Sequence, residues 1–367
     1  MARAVVSGLL LLSLALPCSA RAGGLEAARD VARQADPVAG LTLRQLAGQR
    51  IVFGFAGPAL PPALRERVRR GELAGVILFK RHIRSRRQLR NLVADLQAIP
   101  RPKGLRDPLL VMIDQEGGAV KRLDGAPDRS PERMGRRGVS FVRDEGRRTA
   151  RNLRAVGVNT NLAPVLDRGR RGSSVERLDR AFSADPQRVG ELGTAFARGL
   201  DDGGVIAAAK HFPGLGRSSR DEDFFAARID APKSKLRAVD EPPFATAARA
   251  KVPIVMMSTA IYPAFDARPA LFSRRLSEDE LRGRLGFRGV TITDDLEVPS
   301  VSRHGPPARR ALLSARAGVD LLLFAQSYAA GAEGAAALRT AVRGDELPRS
   351  ELERSAARVL ALRATLR

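Results

Sequence analysis

The stretch LLVMIDQEGG, residues 109–118, decides the fold. Its apolar run from Leu109 to Ile113 is unbroken and stops at Asp114. A half-exposed strand would alternate polar and apolar residues. An unbroken run suits a strand covered on both faces, as in a parallel sheet wrapped by helices. Seven more runs of the same kind follow or precede it: IVFGFAG (51–57), GVILFKR (75–81), VGVNTNLAPVLD (156–167), VIAAAKHFPG (205–214), VPIVMMSTAIYP (252–263), GVTITDDL (289–296) and GVDLLLFAQ (318–326). The intervening segments, such as SRRQLRNLVADLQAI (85–99) and QRVGELGTAFARGL (187–200), carry apolar residues at helical spacing. Ser277 with Glu280, and Ser350 with Glu353, have the spacing of capping boxes at two later helix starts. Eight strands each followed by a helix predict an α/β fold, a single (β/α)8 barrel of the TIM type. Asp114, Asp167, Lys210, His211, Asp294 and Asp295 all fall at the C-terminal ends of these runs, where such a barrel builds its active site.

The remaining composition narrows the class. Hydrophobic residues make up 44% of 367, enough for a large core. Residues 1–22 read as a secretory leader, with an apolar run from Val5 to Leu16 and an Ala20-Arg21-Ala22 cleavage site. The only cysteine, Cys18, lies within it, and the residues before it fit a lipid-anchor signal poorly. Cleavage after Ala22 leaves a chain from residue 23 to 367 without thiols, which excludes disulfides and thiolate chemistry. No later segment reaches the roughly 18 apolar residues of a membrane span, so the expected location is extracytoplasmic, in the periplasm or cell wall. The formal charge of +23 is almost all arginine, scattered along the chain. There is no basic block interleaved with aromatics, so a nucleic-acid partner is not expected.

Five motifs then occur in order: DQEGGAVKRL (114–123), NTNLAPVLD (159–167), LDRAFSADP (178–186), AAKHFPGLG (208–216) and GFRGVTITDDL (286–296). Together they resemble glycoside hydrolase family 3, and in particular its single-domain bacterial β-N-acetylhexosaminidases of cell-wall turnover. The resemblance spans about residue 40 to 365. It implies a retaining mechanism, in which one carboxylate attacks the anomeric carbon and a second group protonates the leaving oxygen. Asp294 matches the nucleophile. Asp114, Arg122, Arg180, Lys210 and His211 match positions that hold the sugar. The resemblance implies a β-linked glycan as substrate and no cofactor, and no metal site is expected, because His211 has no nearby histidine partner and the carboxylates are accounted for by sugar chemistry. It leaves the oligomeric state open.

The chain departs from the family where the acid/base should be. The family's turn reads Lys-His-Phe-Pro-Gly-His-Gly and is followed by Asp-Ser-His, whose histidine is the acid/base. Here Leu215 replaces the second histidine of that turn, and Asp221-Glu222-Asp223 replaces the triplet. A further histidine often found after the sixth strand is replaced by Thr259. Asp223 therefore stands in the acid/base position, with Asp221 and Glu222 beside it as alternatives. A carboxyl group can do this work only if its surroundings lift its pKa from about 3.9. A solvated acidic loop with no catalytic role is the competing reading. The functions left open are a hydrolase of β-N-acetylhexosaminides, a glycan-binding barrel that has lost its acid, and a β-glucosidase or phosphorylase of the same family.

Overall fold

The computed structural model describes Met1, residues 37–222 and residues 224–366. Apart from Met1, the expected leader with Cys18 and Ala22 lies outside the described residues, as does Asp223. All eight apolar runs are strands: β1 (Ile51–Phe53), β2 (Gly75–Leu78), β3 (Leu110–Ile113), β4 (Thr160–Asn161), β5 (Ile206–Phe212), β6 (Ile254–Met257), β7 (Val290–Thr293) and β8 (Leu322–Phe324). They pair in parallel in chain order, with β8 beside β1. The ring closes where Ile292 bridges Leu321, with Thr293 N–H donating to Leu321 O at 2.9 Å and Leu321 N–H to Thr291 O at 2.8 Å. Closure leaves the eight-stranded sheet without an open edge to template aggregation.

The unbroken apolar runs have a simple cause. Val52, Ile77, Met112, Leu162, Met256, Ile292 and Leu323 form one buried cluster within the barrel. Their strand neighbours Phe53, Val76, Leu78, Val111, Ile113, Val255 and Phe324 belong to a second cluster packed with the helices. Each strand thus has two dry faces, which is why its sequence shows no alternation.

Helices cover the outside, among them Arg86–Ala98 and Pro186–Asp202. The first is capped by Ser85, which accepts the Gln88 N–H at 3.1 Å, and the second by Asp185, which accepts the Gln187 N–H at 2.9 Å. The two capping boxes expected further along do not form. Ser277 lies inside the helical turn Arg275–Arg284 and donates to the Ala317 carbonyl, while Glu280 is engaged by Arg237 and Arg284. The helix Arg349–Ala364 begins after Pro348, whose fixed φ presets the first turn. That leaves Ser350 past the cap, and Glu353 pairs with Arg349 at 2.7 Å.

Two local features shape the mouth of the barrel. The chain leaving β3 folds into a short hairpin, Gln115–Gly117 against Val120–Lys121. The pairing of β5 with β6 slips between Ala209 and Phe212, so one extra residue sits in β5. A bulge of this kind re-aims side chains, and here the consecutive residues Lys210 and His211 both line the central cavity. No helix among the described residues is long and apolar enough to cross a membrane.

Candidate active site

At the C-terminal end of the strands lies a cavity of about 280 Å³. Its floor is the barrel core (Ile77, Leu162, Met256, Leu323) and its walls are charged. Asp114, Arg122, Arg180, Lys210, His211, Asp221 and Asp294 all line it, so seven of the eight residues expected from sequence come together. The eighth, Asp223, lies outside the described residues.

One wall is an ionic lattice. The Lys210 ammonium sits 2.8 Å from both Asp114 Oδ1 and Glu116 Oε1. Arg180 grips Glu116 with two parallel bonds, Nε to Oε2 at 2.9 Å and Nη2 to Oε1 at 2.8 Å. Arg122 Nη2 donates to Asp114 Oδ2 at 3.4 Å, and its guanidinium lies 5.5 Å from the centre of the Phe79 ring. Burial alone would lift the carboxyls of Asp114 and Glu116. The cations outweigh it, and both stay below the usual carboxylate range. Burial likewise opposes the charge on Lys210, and the two carboxylates more than restore it. The wall is therefore fully ionised, with fixed donors and acceptors facing the cavity. Sequence reasoning missed Glu116. The signal was present: it lies two residues beyond Asp114, on the same side of an extended chain.

The second wall centres on His211. Its Nδ1 lies 2.7 Å from Asp167 Oδ2, and because a carboxylate only accepts, Nδ1 carries a proton. Asp167 Oδ1 also accepts the backbone N–H groups of His211 at 3.3 Å and Leu215 at 2.7 Å. The other ring nitrogen, Nε2, is 3.8 Å from Glu222 Oε1. Burial works against a charged ring here, yet Asp167 and Glu222 push its pKa up to about 9.

Of the two described members of the acidic triplet, Glu222 is the more deeply buried, at 6% exposure. Its Oε2 accepts the hydroxyls of Ser258 at 3.0 Å and Thr259 at 3.1 Å. Asp221 also lines the cavity but is only half-buried. Thr259, the residue noted above in place of a histidine, thus has a definite task. Leu215, the other such replacement, is buried in the core at 3% exposure. Of the remaining histidines, His82 is buried with its ring accepting the Phe79 N–H at 2.7 Å and bonded to the Phe55 carbonyl at 2.8 Å. His304 packs against Phe272. Neither lines the cavity.

The paired aspartates after β7 divide. Asp295 is buried and accepts the Ala325 and Glu297 N–H groups, each at 3.0 Å, and the Gln326 amide at 2.9 Å. Burial pushes its pKa up to about 6. Asp294 accepts the Asp295 N–H on Oδ1 at 2.7 Å and lines the cavity. Ligating atoms of His211, Glu222 and Asp294 all lie within 4.8 Å of one another. Two carboxylates at that separation can act on opposite sides of one bond, and the set could also hold a cation.

Comparison with known proteins agrees with this geometry. Residues 43–362 match the glycosyl hydrolase family 3 N-terminal domain. The chain is 35% identical over 346 residues to an uncharacterized secreted glycosyl hydrolase of Arthroderma benhamiae, covering 92% of this chain and 98% of the relative. It is 36% identical over 283 residues to a β-hexosaminidase of Alkalilimnicola ehrlichii, covering 75% and 80%. The β-N-acetylglucosaminidase structure from Paenibacillus sp. FPU-7 superposes with a TM-score of 0.84 at 32% identity, over 89% of this chain and 63% of the longer one. A closed parallel barrel, a cavity lined by ionised groups at its C-terminal mouth and this match along its length lead to one conclusion: the chain is a glycosidase of glycosyl hydrolase family 3.

Proposed function

We propose that the protein is a retaining hydrolase that removes a terminal β-linked N-acetylhexosamine, with Asp294 as nucleophile and Glu222 as acid/base. The observation that carries this reading is the approach of the Glu222 and Asp294 carboxylates to within 4.8 Å across the sugar cavity. Retaining glycosidases hold their two carboxyl groups about 5–5.5 Å apart, whereas inverting enzymes leave room for a water at about 6.5–9.5 Å. In the first half-reaction Asp294 attacks the anomeric carbon while a proton passes to the departing oxygen. In the second, the same acid/base takes a proton from water, which displaces Asp294. Asp114, Arg122 and Lys210 hold ring hydroxyls, and Arg180 fixes Glu116 behind them. A cavity of about 280 Å³ sits just below the range of drug-sized sites, about 300–1,000 Å³, and suits a single terminal sugar.

Glu222 takes the role expected of Asp223 or Asp221 because two hydroxyls orient it and its carboxylate lies beside the nucleophile. The N-acetyl preference follows the names of the hexosaminidase relatives. Action outside the cell, after removal of residues 1–22, is supported by the secreted relative and the leader-like N-terminus, and wall peptidoglycan as the glycan by the resemblance to hexosaminidases of cell-wall turnover. The test is steady-state hydrolysis of aryl β-N-acetylglucosaminide and aryl β-glucoside by wild type, Asp294→Ala, Glu222→Gln and Asp223→Asn, with and without azide. Turnover lost in Asp294→Ala and rescued by azide in Glu222→Gln supports the reading. A wild type no faster than Asp294→Ala on either substrate rejects it in favour of a glycan-binding barrel. Turnover that requires phosphate identifies a phosphorylase.

A further inference from the structure

Directly after Phe79, which lines the cavity, the chain reads KRHIRSRRQLR (80–90). The segment leaves β2 at the C-terminal mouth, makes the short turn Lys80–His82 and enters the helix Arg86–Ala98. Arg81 turns inward: its guanidinium lies 4.5 Å from the centre of the Phe79 ring and donates to the Phe55 and Ala325 carbonyls. The other five cations, Lys80, Arg84, Arg86, Arg87 and Arg90, are exposed. Among the described residues none of the five forms an ion pair, and Arg86 and Arg90 bond to uncharged oxygens of Asp124, Asn152 and Ala155. No Asp or Glu occurs from residue 73 to 94. An arginine-rich composition does not account for this, because exposed arginines elsewhere are matched by acids. Arg69 and Arg70 share Glu66, and Arg143 and Arg147 share Asp202. The helix also opens on two arginines with no acid in its first turn, where its dipole disfavours cations.

We propose that this strip is an exosite for a base-free phosphodiester polymer of the cell envelope, which holds the enzyme with its cavity mouth against the envelope. Five exposed cations within eleven residues suit a partner with closely spaced anions, and a polyphosphodiester carries a full charge on every repeat. Its phosphate oxygens match the guanidinium fork and are favoured at a helix N-terminus. Single-stranded nucleic acids are held by aromatic side chains on which bases stack. Residues 80–90 include no Phe, Tyr or Trp, and the ring before them, Phe79, is already covered by Arg81 and Arg122. Because the strip begins where the cavity lining ends, a polymer bound there lies beside the sugar site without entering it. Anchoring raises the effective concentration of wall glycan in front of the cavity. That benefit rests on the hydrolase reading proposed above; polymer binding does not.

The experiment reads polymer binding without turnover. Fluorescein-labelled poly(glycerol phosphate) is titrated by anisotropy with wild type and with the triple variant Lys80→Gln/Arg84→Gln/Arg87→Gln. A second triple, Lys103→Gln/Arg106→Gln/Arg198→Gln, removes the same charge from exposed cations elsewhere. Expected is a Kd raised at least about 10-fold in the first triple and less than about 3-fold in the second. The slope of log K against log salt should fall by roughly two in the first, about 0.7 for each lost contact. Its kcat/KM for aryl β-N-acetylglucosaminide should not change, because none of the three residues lines the cavity. Arg87→Glu, which the helix dipole favours, should weaken polymer binding while the protein unfolds at no lower temperature, so that lost binding is not lost folding. No binding by wild type, or equal loss in both triples through diffuse attraction to the net charge of +23, overturns the proposal. So does polyglutamate of equal charge binding as tightly as the phosphate polymer, or single-stranded DNA binding more tightly. Polymer binding by a wild type that hydrolyses no glycoside would keep the exosite and reject the hydrolase reading.

Discussion

Glu222→Gln isolates proton transfer with little disturbance of shape. Glutamine keeps the volume and one carbonyl oxygen, which can still accept the Ser258 and Thr259 hydroxyls now at 3.0 and 3.1 Å. Its NH₂ group then faces His211, 3.8 Å from where the carboxylate lay, and it has no proton to give or take. Removing a positioned general acid costs about 10²–10⁴-fold, or roughly 2.7–5.5 kcal/mol of transition-state stabilisation. That loss should appear in kcat/KM for a disaccharide, whose departing sugar needs the proton. For a nitrophenyl glycoside, whose phenolate leaves unaided, kcat/KM should fall less than about 10-fold. The second half-reaction loses its base for both substrates, so kcat falls for both, and azide should restore it as a nucleophile that needs no deprotonation. The assay is kcat/KM and kcat for the two leaving groups, with azide titrated. Equal losses on both leaving groups would refute the assignment, as would the leaving-group pattern in Asp223→Asn with none in Glu222→Gln.

Three further outcomes follow from the same geometry. The raised pKa of His211, about 9 against 6.5 in the unfolded chain, stabilises the fold fully below pH 6.5 and is lost as pH climbs through 9. The contribution is about 3 kcal/mol; thermal unfolding between pH 6 and 10 should show that decline, and Asp167→Asn should flatten it. Leu215→His restores a family residue at a position only 3% exposed; it should destabilise by about 1–3 kcal/mol in urea unfolding and raise activity on no substrate. Gly214 has φ +129°, and a Cβ there would lie 3.0 Å from Asp240 Cβ and 3.1 Å from Asp240 O. Gly214→Ala should therefore cost about 1–3 kcal/mol in the same unfolding assay and impair disaccharides more than nitrophenyl glycosides, because the strained turn carries Glu222.

Much of this was legible in the chain. Continuous runs such as Leu109–Ile113 and Leu321–Phe324 announced strands with two dry faces, and all eight are barrel strands. Strand-end residues were legible for the same reason: β3, β5 and β7 fix where Asp114, Lys210, His211 and Asp294 stand. The loop after β5 was not. Glu222 turns toward β6, where it meets hydroxyls 36 and 37 positions away that no local pattern announces. Thr259 was noticed as a missing histidine and not as a donor. The failed caps at Ser277 and Ser350 have a similar cause, since a buried carbonyl at Ala317 and a proline at 348 outweighed a local spacing rule.

The dependence of Glu222 on Ser258 and Thr259 bears on how this barrel could be re-engineered or could have diverged. The acidic loop is not an exchangeable cassette. A loop bearing an imidazole, transplanted onto these strands, would meet two hydroxyls set for a carboxylate and Leu215 filling the space of another ring. A carboxylate loop moved to a barrel with histidine at the Thr259 position would lack that donor. Conversion in either direction needs substitutions at the end of β6 and in the turn after β5 together, and each step alone passes through a poorer catalyst.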